Sequence, residues 1–151
     1  MEIITPIGPI WLNANEQGLT EVSFFQIADH QTNCWTEQAA LELDTYFSGK
    51  LKEFTTPLLF EKGTVFQKKV WDALLNIPYG ETRSYLDIAK AVNSEKAVRA
   101  IGQANRNNPF PIIVPCHRVI GKNGKLTGYL GKTNDEGLSI KSYLLELENA
   151  L

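Results

Sequence analysis

Pro115, Cys116, His117 and Arg118 stand side by side, followed by Val119 and preceded by the apolar run Phe110-Pro111-Ile112-Ile113-Val114. A thiol attacks effectively as the thiolate, and a neighbouring base or cation favours that form. Within three positions the chain supplies a nucleophile, a proton acceptor and a cation. The competing reading is packing: free cysteine is among the most buried residue types, and a Cys-His pair by itself names no reaction. The apolar run predicts a buried strand ending at the cysteine. Asn107-Asn108-Pro109 before it predicts a turn, with Asn108 bonding local backbone.

The elements that must hold this segment follow from pattern. Thr64 with Gln67 is a capping-box pair. It opens a helix with Phe66, Val70, Ala73, Leu74 and Ile77 on one face, ending before Pro78. After the turn Tyr79-Gly80-Glu81-Thr82, Ser84 caps a second helix with Asp87 in its first turn. Leu86, Ala89 and Val92 form its inward face. Ser94 is positioned to cap a third helix at about 95–106, which makes a helix-turn-helix pattern. On that third helix Ala97, Ala100 and Ala104 make a small-residue stripe beside Arg99, Gln103 and Arg106. Such a face suits close approach to a nucleic-acid backbone, and it equally suits tight packing with a solvated polar side. Gly121-Lys122-Asn123-Gly124 predicts a hairpin-type turn. A last helix spans about 137–148, with Ile140, Leu144 and Leu147 at core spacing.

The first 60 residues read differently. Ile3-Ile4-Thr5, Ile10-Trp11-Leu12 and Leu19 to Phe25 predict short strands broken by turn compositions. Residues 34–48 predict a helix with Ala39, Leu43, Tyr46 and Phe47 on one face and Gly49 as its stop. Residues 50–63 read as a connector. The expectation is an α/β protein of two lobes, 1–60 with strands and a helix and 61–151 mainly helical. No repeat or low-complexity tract interrupts it.

Charge divides along the same line. Net charge is −2 over 151 residues. Residues 1–60 carry two lysines against eight acids, net −6, whereas residues 83–132 carry nine bases against Asp87 and Glu95, net +7. A local basic patch of that size engages phosphates even on a mildly acidic protein. Ordinary solvated lysines are the alternative for any one position. With 43% hydrophobic residues a real core is expected. There is no run of membrane-spanning length and no signal-peptide pattern at Met1-Glu2-Ile3-Ile4. Two cysteines, Cys34 and Cys116, do not make a disulfide framework, so a reduced cytoplasmic protein is expected.

Five motifs occur in order: Ile77-Pro78-Tyr79-Gly80-Glu81-Thr82-Arg83-Ser84-Tyr85, Val98-Arg99-Ala100-Ile101-Gly102, Asn107-Asn108-Pro109, Ile113-Val114-Pro115-Cys116-His117-Arg118-Val119 and Leu126-Thr127-Gly128-Tyr129. On these motifs the chain resembles the O6-alkylguanine-DNA alkyltransferases, the methylated-DNA–protein-cysteine methyltransferases, over roughly residues 63–148. The resemblance implies a ribonuclease H-like first lobe and a winged-helix-like second lobe. It implies repair of O6-alkylguanine, and of O4-alkylthymine, in flipped nucleotides of double-stranded DNA bound through the minor groove. The protein would be a monomer, would act once per molecule, and would need no cofactor.

Residue by residue, the resemblance makes Cys116 the alkyl acceptor and His117 the base that draws its proton through a bound water. Glu148 orients the histidine, and Asn108 holds the active-site turn. Tyr85 bonds the flipped guanine, the backbone of Cys116 and Val119 accepts from the guanine amino group, and Tyr129 and the Leu130 amide line the pocket near O6. Arg99 is the finger that enters the duplex, and Ser84, Gln103, Arg106 and Arg118 belong to the DNA surface. The chemistry is consistent with this. A soft thiolate suits displacement at a saturated carbon, a phenol donating to guanine N3 improves the leaving group, and a stacked base is out of reach until extruded.

The chain departs from the family pattern where Lys132-Thr133-Asn134-Asp135-Glu136 separates Gly131 from Gly137. This longer loop borders the pocket mouth and bears on the assignments of Leu130 and Lys141. Some relatives carry zinc in the first lobe; here Cys34 and His30 are two ligands where a structural site uses four, and no metal is expected. Three other classes stay in view. A Cys-His hydrolase would turn over and leaves Arg99 unexplained. A lesion-binding protein would not need Cys116. A helix-turn-helix regulator would present a more polar recognition helix than 97–104.

Overall fold

The computed structural model describes residues 1–28, 31–126, 128–129 and 135–151. The chain forms two compact units, Met1–Lys62 and Gly63–Leu151.

In the first unit β1 (Glu2–Thr5), β2 (Gly8–Ala14) and β3 (Leu19–Ser23) make an antiparallel sheet in sequence order. The β2 pattern puts Ile10, Leu12 and Ala14 on the buried face, as a period of two requires. The helix α1 (Cys34–Phe47) packs against this sheet through Ala39, Leu43 and Tyr46. Asn33 caps it: its side chain accepts from the Trp35 and Thr36 amides while Thr36 Oγ1 accepts from the Asn33 amide. The connector is tied back by Glu42, which accepts from the amides and hydroxyls of Thr55 and Thr56.

In the second unit α2 (Val65–Leu75), α3 (Tyr85–Ala91) and α4 (Val98–Arg106) pack against one another. Both expected capping boxes form, Thr64 with Gln67 and Ser84 with Asp87. Trp71 is buried between helices, and its indole N–H donates to the Ala104 carbonyl at 2.8 Å. That bond satisfies an acceptor at the C-terminal end of α4, where intrahelical donors run out.

Several local expectations are corrected. The helix α4 begins at Val98 rather than near 95, and Ala97 is its N-cap with no side-chain bond. Residues 94–97 form a turn closed by Ala97 N–H to Ser94 O, with Asn93 in the left-handed region, so Ser94 sits one turn too early to cap. On α3 the buried residues are Ile88 and Ala89, whereas Leu86 is exposed. The run 110–114 is not a strand. It is a buried turn in which the Val114 amide donates to Phe110 O at 2.8 Å, with Ile112 at φ +76°. Pro109 and Pro111 lack amide donors, and the Asn108 side chain serves the turn's backbone, so no ladder can form. Gly121 begins a single 3₁₀ turn, Lys122–Gly124, closed by Gly124 N–H to Gly121 O at 3.1 Å, and Gly121 N–H donates across it to Lys125 O at 2.7 Å. The short strand before it, β5 (Val119–Ile120), pairs in parallel with β4 (Arg83–Ser84) instead of entering a hairpin. The last helix is α5 (Asp135–Leu147), with Leu144 and Leu145 in the core.

Candidate active site

The parallel pair fixes the site's frame. Arg83 lies opposite Val119 and Ser84 opposite Ile120. Tyr85, the first residue of α3, therefore follows directly from the strand beside Val119. Cys116, His117 and Arg118 form one 3₁₀ turn just before Val119, and α5 packs on that turn.

Asn108 shapes the approach to the cysteine. Its Nδ2 donates to Val114 O at 2.8 Å, and its Oδ1 accepts from the Phe110 amide at 2.9 Å. The same side chain hydrogen-bonds Cys116. Cys116 is 3% exposed, so its thiol is withdrawn from bulk water. Burial pushes the thiol's pKa up, while the Asn108 bond and the Lys141 charge pull it down. Formation of the thiolate thus depends on those two groups and on a proton acceptor.

His117 is fully buried. Its Nε2 meets Glu148 Oε2 at 2.7 Å, and among the described residues its Nδ1 has no partner. Burial lowers the imidazole's pKa; Glu148 opposes this, and Arg118 and Lys141 reinforce it. The net direction is down, so the neutral ring is favoured. A neutral ring that donates Nε2–H to a carboxylate carries its lone pair on Nδ1. No direct hydrogen bond joins Cys116 to His117, so a proton would pass between them through water.

Arg118 does not reach a DNA surface. It is buried, with Nε 2.7 Å from Glu148 Oε1, Nη2 3.1 Å from Glu148 Oε2 and Nη1 2.7 Å from Ile77 O. Three of its five N–H donors are spent on buried partners, so the structure places this guanidinium inside the unit and not on the surface expected of a DNA contact. The cation coupled to Cys116 is Lys141, from α5. It is 1% exposed, donates to Val119 O at 2.6 Å and Gly128 O at 2.9 Å, and is brought down to about 8 chiefly by burial. A lysine on the stripe occupied by Leu144, Leu145 and Glu148 was a legible signal, because a core stripe rarely admits an ammonium without partners. The carbonyls it meets, 22 and 13 residues away, were not legible.

Arg99, Gln103 and Arg106 are all exposed on α4, one helical face apart from the buried Ile101, Ala104 and Asn105. Leu86 and Val98 add exposed apolar surface to the same pair of helices. Ser84 uses its hydroxyl oxygen to cap α3. Tyr129 is buried, whereas Leu130, Thr127 and residues 132–134 of the longer loop lie outside the described residues. His30 is also outside them, and Cys34 is an exposed free thiol at the start of α1. Among the described residues no cluster of His, Cys, Asp or Glu is arranged to hold a metal, and no helix is long and apolar enough to cross a membrane.

Both units match known sequence families. Residues 3–60 match the ribonuclease-like domain, and residues 65–150 the DNA binding domain, of 6-O-methylguanine DNA methyltransferase. A methylated-DNA–protein-cysteine methyltransferase of Methanosarcina acetivorans is 50% identical, with 97% of this chain and 95% of the relative covered. A constitutive one of Bacillus subtilis is 46% identical over 95% of this chain and 91% of its own. In structure the chain is similar to Mycobacterium tuberculosis OGT crystallised in complex with DNA, with a TM-score of 0.83 and 44% identity over 99% of this chain and 91% of that one. The two-lobed α/β architecture read from the sequence is the one these relatives share, and the chain belongs to the 6-O-methylguanine DNA methyltransferase family.

Proposed function

We propose that this protein repairs O6-alkylated guanine, and O4-alkylated thymine, in double-stranded DNA by irreversible transfer of the alkyl group to Cys116. The observation that carries the reading is the buried Cys116 held by Asn108 beside a His117–Glu148 pair whose Nδ1 is left to accept a proton. The Sγ–H proton passes through water to His117 Nδ1. The thiolate then forms a bond to the alkyl carbon as the carbon–O6 bond breaks, and the electron pair leaves on the guanine, which takes up a proton. A thioether has no easy way back, so each molecule reacts once. No cofactor enters this scheme.

Cys116 is too deeply buried to reach a base inside a duplex, so the nucleotide is flipped out to it. Arg99 fills the vacated position, and Gln103, Arg106 and Ser84 meet the backbone around it. The small residues Ala97 and Ala100 let α4 approach a minor groove closely. Tyr85 donates to the flipped guanine, the Cys116 and Val119 carbonyls accept from its amino group, and Tyr129 with the Leu130 amide borders O6. The protein acts as a monomer, in a cytoplasm where the free thiols of Cys34 and Cys116 stay reduced.

Intact and peptide mass spectrometry after incubation with an O6-methylguanine duplex tests the reading. The expected result is one added methyl group on Cys116, saturating at one per protein and absent in Cys116→Ala. Binding without an adduct overturns transfer in favour of lesion recognition, and turnover without an adduct points to a hydrolase.

A further inference from the structure

The segment Ile77-Pro78-Tyr79-Gly80 and the residue Arg118 have no role in the transfer as described so far. They converge on one place, the end of α5 where Glu148 stands. Arg118 reaches across to the Ile77 carbonyl, and its guanidinium carbon lies 5.7 Å from the centre of the Tyr79 ring. The Tyr79 hydroxyl donates to Leu147 O at 3.3 Å. Gly80, at φ +82°, leaves only 3.2 Å between the place a Cβ would take and the Glu148 carbonyl oxygen, so a side chain there would press on the turn that carries the carboxylate. Tyr79 and Gly80 hold the backbone at Leu147 and Glu148, and Arg118 holds the Glu148 carboxylate itself.

Resting on the alkyl-transfer reading, we infer that Arg118 is a positioning residue for the proton transfer: by sharing Glu148 with His117 it keeps the imidazole neutral, with Nε2–H donated and Nδ1 open. The geometry gives the reason. Glu148 Oε1 is taken by Arg118 Nε, and Oε2 is shared between Arg118 Nη2 and His117 Nε2. An arginine is always charged, so the Arg118–Glu148 pair carries no net charge. His117 therefore gains an acceptor that orients it without the full negative charge that would hold it as imidazolium. An imidazolium has no lone pair and cannot take the Cys116 proton. The other groups near the ring act in the same direction or are neutral. Lys141 from α5 is cationic, Cys116 on the same turn is the proton donor, and Tyr79 is a neutral phenol with its ring against the Arg118 guanidinium. Once the proton arrives at Nδ1, the Nε2–H bond to Glu148 is already made, so the imidazolium needs no rearrangement.

The test is the pH dependence of single-turnover methyl transfer from a saturating O6-methylguanine duplex, in wild type, Arg118→Met and Arg118→Lys. The acidic limb reports protonation of the base. Arg118→Met removes the charge and is expected to move that limb upward by about one pH unit, a tenfold loss at a fixed pH on the limb. Arg118→Lys keeps the charge and loses the fork, so its plateau falls while its limb stays within about 0.3 unit of wild type. A fall in plateau with an unmoved limb in Arg118→Met, or an equal movement in Arg118→Lys, overturns the inference and leaves Arg118 a packing residue. If Arg118→Met does not fold, ¹⁵N chemical shifts of His117 in the wild-type protein decide. A neutral ring protonated on Nε2 at pH 7 supports the inference, and an imidazolium or an Nδ1–H ring overturns it. That measurement needs no alkyl transfer, so failure of the methyl adduct and failure of this inference are seen separately.

Discussion

Each unit of the molecule buries one glutamate, and the two are satisfied in opposite ways. Among the described residues Glu42 in the first unit accepts from neutral groups, the Thr55 amide and hydroxyl at 2.9 and 2.7 Å, the Thr56 amide at 2.9 Å and the Thr56 hydroxyl. Glu148 in the second accepts from one permanent cation and one imidazole. Four neutral donors lock the connector onto α1. A carboxylate divided between an arginine and a histidine is satisfied equally well, but one of its partners can gain a proton in the working range of pH. On the proposed reaction, the comparison separates a carboxylate that holds a fold from one placed to take part in chemistry, although burial alone does not distinguish them.

The largest expected contrast is in transfer rate. Glu148→Gln removes the charge and turns one of the two oxygens that accept from Arg118 and His117 into a donor, and is expected to slow single-turnover methyl transfer by about 10²-fold or more. Glu42→Gln leaves that rate unchanged in folded protein. Equal losses in the two variants, with native circular dichroism in both, would break the distinction.

A second contrast lies in stability. Burial pushes the Glu42 carboxyl up, and the bonds from Thr55 and Thr56 outweigh that and hold it below the ordinary value. A folded-state pKa below the unfolded one contributes stability that is present above the unfolded value of about 4.3 and lost as pH falls through the folded one. Urea denaturation should therefore show wild type losing stability more steeply below about pH 5 than Glu42→Gln. At neutral pH Glu42→Gln is expected to cost about 1–3 kcal/mol, because the amide's NH₂ cannot accept from the donors facing it. A parallel loss of stability with acid in both proteins would remove Glu42 as the cause.

Arg99 supplies the smallest and most selective effect, since it is exposed and holds nothing together. Arg99→Ala is expected to slow repair of a duplex by about tenfold while leaving reaction with free O6-methylguanine and the denaturation midpoint unchanged. Equal loss on both substrates would remove the finger role and place Arg99 with the groups that support the pocket.

Much of the fold was legible because its signals are local. The caps at Thr64 and Ser84 were read from a residue and its partner three positions on, and both form. The apolar faces of α1 and α2 were legible for the same reason. Where a short-range signal had a competitor, the reading went astray. Ser94 has capping chemistry, but the left-handed Asn93 and the turn after it moved the start of α4 to Val98. The run 110–114 has strand composition, but Pro111 within it and Asn108 and Pro109 before it leave it no way to pair.

By itself the sequence determined that a cysteine and a histidine stand side by side, the helices around them and the asparagine that shapes the turn, because each is specified by residues within a few positions of one another. Only the tertiary structure decided which charge serves which partner. Arg118 stands next to His117 in the chain yet turns to a carboxylate 30 residues away and a carbonyl 41 residues back, while the cation coupled to Cys116 comes from α5. A buried charge must find partners wherever the closed fold puts them, and chain closure over such distances leaves no trace in local spacing.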